Sequence, residues 1–364
     1  MKEVDCIDKK EKLLIIDGSC LLSTNYYGNI PPKLKMSSGL PEEEVRKLYS
    51  LILHNSEGKY TNAIYGFMKV LVKILNEQEI THIAFVFDKS RDNLFRRKLY
   101  PPYKAQRKPT PEPLKEQFVS IEESLKKIGF PVFYADGYEA DDFAGTLVKK
   151  FEKNIDIVLL TKDHDYLQLV SDSTKLWMMY SDKDKVKELR EKYCISDDII
   201  YPEKVFEFNP VITKFEEGVW PEQIPDLKGL TGDTSDNIPG VKNLASAAAP
   251  LLSKYKTVEN LYKAIEEVSD DKKKTKELQD EWKKELEIRN PYNALTKSYD
   301  ENEYVKSAKE SAILSKKLAT IKTDLELETT LDDLIIKVDK EAYKTELDYF
   351  NIKSLEPLNE KYFK

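Results

Sequence analysis

The sequence predicts an α/β fold with a largely parallel central sheet. Short apolar runs alternate, along the first half of the chain, with longer segments whose apolar residues recur at helical spacing. This alternation is typical of units in which a helix connects two parallel strands. Three of the apolar runs also end in an aspartate, which indicates that polar groups collect at one edge of the sheet.

The predicted elements follow one another in regular order. Strands are predicted at residues 13–17, 81–88, 131–135 and 156–161, and helices at 62–76, 114–128 and 140–150. From about residue 220 the residue composition changes. A stretch rich in Gly, Pro, Asp and Thr is followed by charged helical segments at 257–267, 272–289 and 307–319. We therefore predict a catalytic α/β domain over residues 1–219 and a helical region over 220–364, with residues 35–58 and 182–218 as surface insertions.

Composition narrows the class of protein. The 364 residues are 40% hydrophobic and carry a net charge of −7, and no run approaches the roughly 18–20 apolar residues of a membrane-spanning helix. The charged N-terminus lacks an apolar targeting segment, so a cytoplasmic protein is expected. The three cysteines and three histidines are scattered, which argues against a disulfide framework and against a zinc site.

Acidic residues form four groups at predicted strand ends and helix starts. They are Asp17 with Asp88; Glu139, Asp141 and Asp142; Asp163 with Asp165; and Asp233 with Asp236. Ligands bind beyond the carboxyl ends of the strands in open α/β sheets, so the strand-ending aspartates Asp17, Asp88 and Asp163 are expected to meet there. Each one alone could be a helix N-cap or a turn residue, but three at one edge favour a functional site.

A cluster of carboxylates predicts bound cations, because like charges raise one another's pKa. An oxygen-only set of ligands suits Mg²⁺ or Mn²⁺. Two such ions about 3.5–4 Å apart commonly support in-line attack at phosphorus. The acidic groups therefore predict a two-metal site that acts on a phosphate ester.

Residues 89–108 are basic within an acidic chain. The segment contains one acid, Asp92, and the cations Lys89, Arg91, Arg96, Arg97, Lys98, Lys104, Arg107 and Lys108. Phe95, Tyr100 and Tyr103 are interleaved with these cations. Positive charge with aromatic platforms is typical of single-strand nucleic-acid binding, and the cations can offset charge in a phosphoryl transition state. The alternative interpretation is a solvated charged loop.

These groups, in this order, resemble the 5′-nuclease family, which includes the 5′-nuclease domain of bacterial DNA polymerase I, bacteriophage 5′-exonucleases and flap endonucleases. The matching stretches are IIDGS (15–19), YTNAIYGFMKVLVKIL (60–75), FVFD (85–88), FRRKLYPPYKAQR (95–107), GYEADD (137–142), LLTKDHDYLQL (159–169), LTGDTSDNIPGVK (230–242) and SKKLATIKTDLELE (315–328). The resemblance covers about residues 13–355. No polymerase palm signature is present, so a free-standing 5′–3′ exonuclease is expected.

The resemblance implies a PIN-like α/β fold with a helical arch at residues 89–113 and a helix–three-turn–helix region. It implies a first metal ion at Asp17, Asp88, Glu139 and Asp141, with Asp142 close by, and a second at Asp163, Asp165 and Asp233, with Asp236 as a direct or water-mediated ligand. Lys104 and Arg107 would reach the scissile phosphate, and Tyr103 would stack on a base. The expected DNA contacts are Arg96, Arg97, Lys98, Gly240 and Lys242.

The resemblance also implies partners: 5′ flaps and 5′ ends of DNA, RNA primer strands, and a potassium ion at the hairpin of the helix–three-turn–helix region. A monomer acting in primer removal and repair is expected. Two departures stand out. Residues 243–249 replace a common Gly-x-Gly and Lys-Thr-Ala, which removes two flexible glycines and a phosphate-binding lysine. Ser23 and Thr24 stand where an aromatic–Arg pair is frequent. The first departure bears on duplex affinity and the potassium site, and the metal ligands are all present.

Three alternatives compete with an active 5′-nuclease. A ribonuclease of the broader PIN-like class usually needs fewer acids and lacks the TGDTSDN hairpin. A non-catalytic DNA-binding descendant would have lost metal ligands, whereas every expected ligand is present. A nucleotide-binding α/β protein would carry a GxxxxGK[ST] or GxGxxG loop, and this sequence has neither.

Overall fold

The computed structural model describes residues 11–90, 93–195, 202–299, 302–352 and 354–364. Among them, one six-stranded sheet has the order β3-β2-β1-β4-β5-β6. The strands are β1 (Lys12–Asp17), β2 (His82–Val86), β3 (Val132–Phe133), β4 (Asp156–Thr161), β5 (Thr174–Met179) and β6 (Val205–Phe208). The first five strands run parallel and β6 is antiparallel to β5, which confirms the predicted α/β fold. Arg91 and Asp92 of the predicted basic segment lie outside the described residues.

Helices cover both faces of the sheet. They are α1 (Gly18–Asn29), α2 (Pro32–Lys35), α3 (Glu42–Leu48), α4 (Asn62–Glu77), α5 (Phe95–Leu99), α6 (Glu112–Ile128), α7 (Ala140–Phe151), α8 (Lys183–Lys192), α9 (Pro210–Glu217), α10 (Ile224–Thr231), α11 (Ala245–Tyr255), α12 (Val258–Glu266), α13 (Lys272–Glu285), α14 (Tyr292–Leu295), α15 (Ala308–Ala319) and α16 (Lys340–Tyr349). No described helix combines the length and the apolar character needed to cross a bilayer.

The central strand β1 shows why the sheet is covered on both faces. Its side chains alternate: Leu13 and Ile15 pack toward α7 and the helices after residue 219. Leu14 and Ile16 pack toward α1, α4 and α6. All four residues are fully buried, which explains why this strand reads as a continuous apolar run.

The prediction that residues 182–218 form a surface insertion is wrong. This segment contains β6, which pairs with β5 and buries Val205, Phe206 and Phe208. The strand has only four residues, one of them Glu207, and it follows the strongly charged helix α8. A pattern this short reveals a strand only through its pairing partner. Residues 196–201 of the segment lie outside the described residues.

Among the described residues of the predicted helical arch at residues 89–113, helix occurs in α5 and then only at the end of the segment, where α6 begins. Turns follow from residue 101 to residue 107, and regular structure resumes with α6 at Glu112. Four prolines (Pro101, Pro102, Pro109 and Pro111) explain the correction, because proline removes a backbone donor and disfavours helix before it. The segment rests on the 231–241 loop, where Gln106 donates to the carbonyls of Thr234 and Ser235.

The loop between α10 and α11 requires two glycines. Gly232 and Gly240 both have positive φ, at 72° and 59°. A Cβ atom on Gly240 would lie 2.2 Å from the nitrogen of Gly232, so neither position tolerates a side chain without rearrangement.

Residues 335–362 return to the first half of the chain. Ile335 forms a β-bridge with His82. The Tyr362 hydroxyl donates to the carbonyls of Leu75 and Ile80 at 2.9 and 3.0 Å. This packing crosses the predicted boundary between residues 219 and 220, and the division into two domains stays a prediction.

Candidate active site

The strand-ending aspartates lie side by side at one edge of the sheet. β1 lies between β2 and β4, and Asp17 is its last residue. Asp17 is in register with Val86, so Asp88 follows two residues beyond the same level, and Asp163 follows the end of β4. A cavity of about 1050 Å³ opens over this edge. The acids lining it include Asp17, Asp88, Glu139, Asp141, Asp163, Asp165 and Asp233.

Each of these aspartates also organises local backbone. Asp17 accepts a hydrogen bond from the backbone NH of Cys20 and another from the Thr161 hydroxyl, both at 2.8 Å. Asp88 accepts from the NH of Ala140 at 3.0 Å, at the start of α7. Asp163 accepts from the NH of Asp165 at 2.9 Å. These aspartates therefore both cap local backbone and belong to the candidate site, because the capping hydrogen bonds fix the carboxylates at the edge of the cavity.

Three carboxylates lack a compensating charge of their own. Burial, followed by the charge of Asp88, raises the pKa of Asp17 to about 7. Burial is also the main cause that raises the pKa of Asp163, and it holds the pKa of Asp141 well above its usual range despite nearby Arg96. The Oδ1 atom of Asp141 is buried and has no hydrogen-bond partner among the described residues. Such an arrangement is costly without a cation.

Four other carboxylates, Glu139, Asp165, Asp233 and Asp236, pair with lysine or arginine side chains. Lys104 pairs with Glu139 and, at 3.3 Å, with Asp236, which also pairs with Arg107. Burial acts to raise the pKa of Glu139, but Lys104 and Arg96 outweigh it and lower the value to about 2.

Lys228, on α10, pairs with Asp165 and lies 2.7 Å from Asp233. Burial acts to raise the pKa of Asp233, but the hydrogen bond and charge of Lys228, together with hydrogen bonds from Ser235, lower it to about 2. Sequence reasoning missed Lys228, since nothing local to residues 224–231 indicates that its side chain faces two acids. The cluster thus contains carboxylates that pair with a lysine or arginine side chain and carboxylates whose charge has no such partner.

The donor set fits a divalent cation, although its side chains are not arranged around one. As the side chains stand, no three acidic, histidine or cysteine residues in the described part of the chain converge closely enough to hold an ion. Lys104 and Lys228 lie between carboxylates instead. The unpartnered oxygen of Asp141 and the oxygen-only chemistry of the cluster suit Mg²⁺ or Mn²⁺.

The chain matches two family models. The model described as "5'-3' exonuclease, N-terminal resolvase-like domain" matches residues 12–196, and "5'-3' exonuclease, C-terminal SAM fold" matches residues 219–342. The 5′–3′ exonuclease of Aquifex aeolicus is 31% identical over 346 residues, which cover 94% of this chain and 93% of that protein. The chain belongs to the 5′–3′ exonuclease family.

Other members and neighbours of this family differ in length and similarity. DNA polymerase I of Caldicellulosiruptor bescii is 33% identical over 328 residues. The match covers 90% of this chain but only 31% of the polymerase. The T5 D15 protein co-crystallised with metal ions shares 20% identity and a TM-score of 0.48 over 86% of this chain and 90% of its own. The catalytic core of Rad2 in complex with DNA substrate is 15% identical to this chain, with a TM-score of 0.49. The match covers 95% of this chain and 91% of the Rad2 chain.

Asp142, predicted to lie close to the first metal ion, is held by other partners in the structure, and a role as a metal ligand stays a prediction. Its carboxylate is fully buried, and both oxygens accept hydrogen bonds from Arg96 at 2.8 Å. The backbone NH groups of Glu139 and Lys322 donate to it as well, at 3.1 and 2.9 Å. With Glu139 it forms a capping box at the start of α7, so in GYEADD the last aspartate stabilises the helix.

Arg96 is wrongly predicted as a DNA contact. Its side chain is only 1% exposed. Besides Asp142, the guanidinium binds Glu139 at 2.9 Å and donates to the carbonyls of Leu318 and Thr320 at 2.9 and 3.0 Å. Arg96 therefore ties α5 to α7 and to the end of α15.

Three further predicted roles conflict with burial. Tyr103 is 2% exposed and its hydroxyl donates to Glu139 and Asp236, so its ring is not offered for stacking, and Tyr100 is buried too. Gly240 is also wrongly predicted as a DNA contact, because its NH donates to Ser315 and its carbonyl accepts from Ser311. Lys98 and Lys242 are exposed and Arg97 lines the cavity, and their contacts with DNA stay predictions.

An apolar wall faces the acids across the cavity. We define it by Tyr27 on α1 and by Leu114, Phe118 and Val119 on α6, all of which line the cavity. Tyr27 and Val119 are 53% and 57% exposed, which is high for large apolar side chains. Ser23 lies one helical turn before Tyr27 on the same face, so this chain places its aromatic ring one turn beyond the position common in the family. That spacing is the signal that sequence reasoning overlooked.

Proposed function

We propose that this protein is a divalent-metal-dependent nuclease that hydrolyses phosphodiester bonds in DNA, both as a 5′–3′ exonuclease and as a 5′-flap endonuclease. The observation that carries the proposal is the set of buried, uncompensated carboxylates at the carboxyl edge of the sheet, facing a large open cavity. Membership of the 5′–3′ exonuclease family supports the same activity.

The carboxylates at this edge of the sheet are the candidates to hold cations. Asp17, Asp88, Asp141 and Glu139 would hold one ion, and Asp163, Asp165 and Asp233 a second, with Asp236 beside it. When bound, two Mg²⁺ or Mn²⁺ ions supply an activated water and stabilise negative charge on the phosphate. The protein's own contribution is to fix the carboxylates through their capping bonds, so that little reorganisation is needed.

Lys104 and Arg107 contact carboxylates that would hold the cations. Lys104 has a φ of 53°, a conformation that residues other than glycine rarely adopt, and its NH is held at 2.9 Å by the carbonyl of Asp236. This hold directs the ammonium group toward Glu139. We propose that both side chains bind the scissile phosphate once cations neutralise the acids that they now contact.

The wider role follows from the same chemistry. We propose that the protein removes primers and trims repair intermediates in the cytoplasm, that it works as a monomer, and that it accepts RNA as well as DNA at the 5′ end. A potassium ion near residues 231–249 and the division at residues 219 and 220 stay predictions.

Metal removal is the direct test. A duplex with a 5′ flap, labelled on the flap strand, is incubated with the protein in Mg²⁺, in Mn²⁺ and in excess chelator. We expect products at or near the junction with either metal and none with chelator, with activity restored when metal is added back. Cleavage that persists in chelator would refute the metal-dependent mechanism. A folded protein that binds the flap but cuts with neither metal would be a binding-only member of the family.

The apolar wall predicts a base-stacking role for Tyr27. Stacking of a base on an aromatic side chain is worth about 1–3 kcal/mol, so Tyr27→Ala is expected to weaken flap binding about tenfold, whereas Tyr27→Phe retains it. Affinity is measured by fluorescence anisotropy in Ca²⁺ or chelator, so that cleavage does not interfere. Phe215→Ala removes an exposed aromatic outside the cavity and serves as the matched control. Equal affinities for Tyr27→Ala and the control would exclude stacking at this wall.

A further inference from the structure

Tyr166 has a buried hydroxyl group with no assigned role. The residue lies in the 3₁₀ turn His164–Leu169, between the acids Asp163 and Asp165 and the core, and is 1% exposed. Its hydroxyl has no hydrogen-bond partner among the described residues. A buried polar group without a partner carries a desolvation cost, so such a group in a native fold calls for an explanation.

The surroundings of this hydroxyl are acidic. Burial first, and then the charges of Asp17, Asp141, Asp163 and Asp88, raise the pKa of Tyr166 well above its usual range. The phenolic hydroxyl can donate a hydrogen bond to an oxygen held among these acids. Tyr166 lines the same cavity as these acids.

A second unpartnered atom lies in the same cluster. The Oδ1 atom of Asp141 is a buried acceptor without a donor, while Tyr166 is a buried donor without an acceptor. The two atoms do not bond to each other. A polar species held among these acids would satisfy both, because buried polar sites of this kind typically hold water or an ion with its ligands.

We propose that Tyr166 is a positioning residue of the metal site, whose hydroxyl donates a hydrogen bond to an oxygen in the ligand set of the first cation, which Asp17, Asp88, Glu139 and Asp141 would hold. This inference rests on the proposed function, since it requires that the acids bind a divalent cation. Donors of this kind orient the oxygen ligands of a metal, and removing one typically weakens metal affinity by about 10–100-fold.

The competing explanation is packing alone. Tyr166 belongs to the hydrophobic cluster on the α7 face of the sheet, and its ring fills space there. The chain provides a comparison, because Tyr343 on α16 is also buried with an unpartnered hydroxyl. Burial is the only cause that raises the pKa of Tyr343, to about 12, so no carboxylate surrounds it.

Metal titration of Tyr166→Phe separates the two explanations. The variant keeps the ring and removes only the hydroxyl, and Tyr343→Phe is the matched control. Mn²⁺ and Mg²⁺ affinities of the full chain are measured by isothermal titration calorimetry without DNA, and thermal unfolding is recorded in chelator. We expect Tyr166→Phe to bind Mn²⁺ at least tenfold more weakly than wild type, with an unfolding temperature in chelator close to that of wild type. Tyr343→Phe should bind Mn²⁺ as wild type does.

A second readout reports on the tyrosine hydroxyl itself. Mn²⁺ added to the wild-type protein should produce a tyrosine difference spectrum in the ultraviolet, which Tyr343→Phe retains and Tyr166→Phe loses. Mn²⁺ affinity of Tyr166→Phe within twofold of wild type, or a retained difference spectrum, would overturn the positioning role alone. Absence of Mn²⁺ binding by the wild-type protein would overturn the metal site of the proposed function, and the positioning role with it.

Discussion

Replacing Asp141 with asparagine is expected to lower metal-dependent cleavage by about 10³-fold, equivalent to about 4 kcal/mol of transition-state stabilisation. Among the site carboxylates, Asp141 contributes least to holding the local structure. Its Oδ1 atom has no hydrogen-bond partner among the described residues, and its Oδ2 atom lies 3.9 Å from Arg96. An amide of the same shape removes the charge that a cation needs and breaks no capping bond.

The same substitution should not destabilise the metal-free protein. The folded state raises the pKa of Asp141, so the folded protein keeps a proton that the unfolded chain releases above about pH 4. The free energy of unfolding of the metal-free wild type therefore decreases as the pH rises from about 4 to the raised pKa of Asp141 in the folded protein. Asp141→Asn has no carboxyl group at this position and does not show this decrease.

Two measurements check this prediction: flap cleavage in Mg²⁺, and thermal unfolding in chelator at pH 5 and pH 8. The unfolding temperature of Asp141→Asn relative to wild type should be higher at pH 8 than at pH 5. Asp182→Asn, at the exposed start of α8, is a control that should match wild type in both measurements. A variant that cuts at the wild-type rate, or that is less stable than wild type at pH 8, would contradict the assignment.

Replacing Arg96 with methionine is expected to lower the free energy of unfolding by about 3–5 kcal/mol, because it leaves a buried carboxylate without its partner. Asp142 is fully buried, and Arg96 supplies two of its hydrogen bonds. Two carbonyls near the end of α15 lose their donor as well. Urea unfolding followed by circular dichroism measures the loss.

A double substitution tests the cause of that loss. Arg96→Met with Asp142→Asn removes the unpaired charge, so it should recover part of the stability lost in Arg96→Met. Lys98→Met, on the exposed side of α5, should leave stability unchanged. Unchanged stability of Arg96→Met together with weaker DNA binding would restore the predicted role of Arg96 as a DNA contact.

The contrast between Asp17 and Asp142 explains what the sequence can predict. An apolar run that ends in an acid is a local pattern, and the parallel sheet then brings Asp17, Asp88 and Asp163 to one edge. The role of Asp142 depends on Arg96, which is 46 residues away, and is invisible to local patterns. The adjacent acids Asp141 and Asp142 therefore have different environments within one motif.

The roles of Lys228 and β6 could not be predicted either, because both depend on residues that are distant in the sequence. Lys228 contacts Asp165 across 63 positions of sequence. The strand β6 is defined by its antiparallel pairing with β5. The basic run at residues 89–108 predicts exposure, because charged side chains are exposed on average, whereas Arg96 is buried and binds two acids and two carbonyls.

The return of residues 335–362 to β2 and α4 bears on how the chain folds during synthesis. The Tyr362 hydroxyl closes a contact with Leu75 that spans 287 positions. Non-local contacts of this kind form late, because the intervening chain must first be made and ordered. At about 5–20 residues per second, a ribosome that has completed the sheet needs roughly 10 s or more to release this closing segment. Until then the α4 face of the nascent sheet is incompletely covered, and it is the surface that chaperones would meet first.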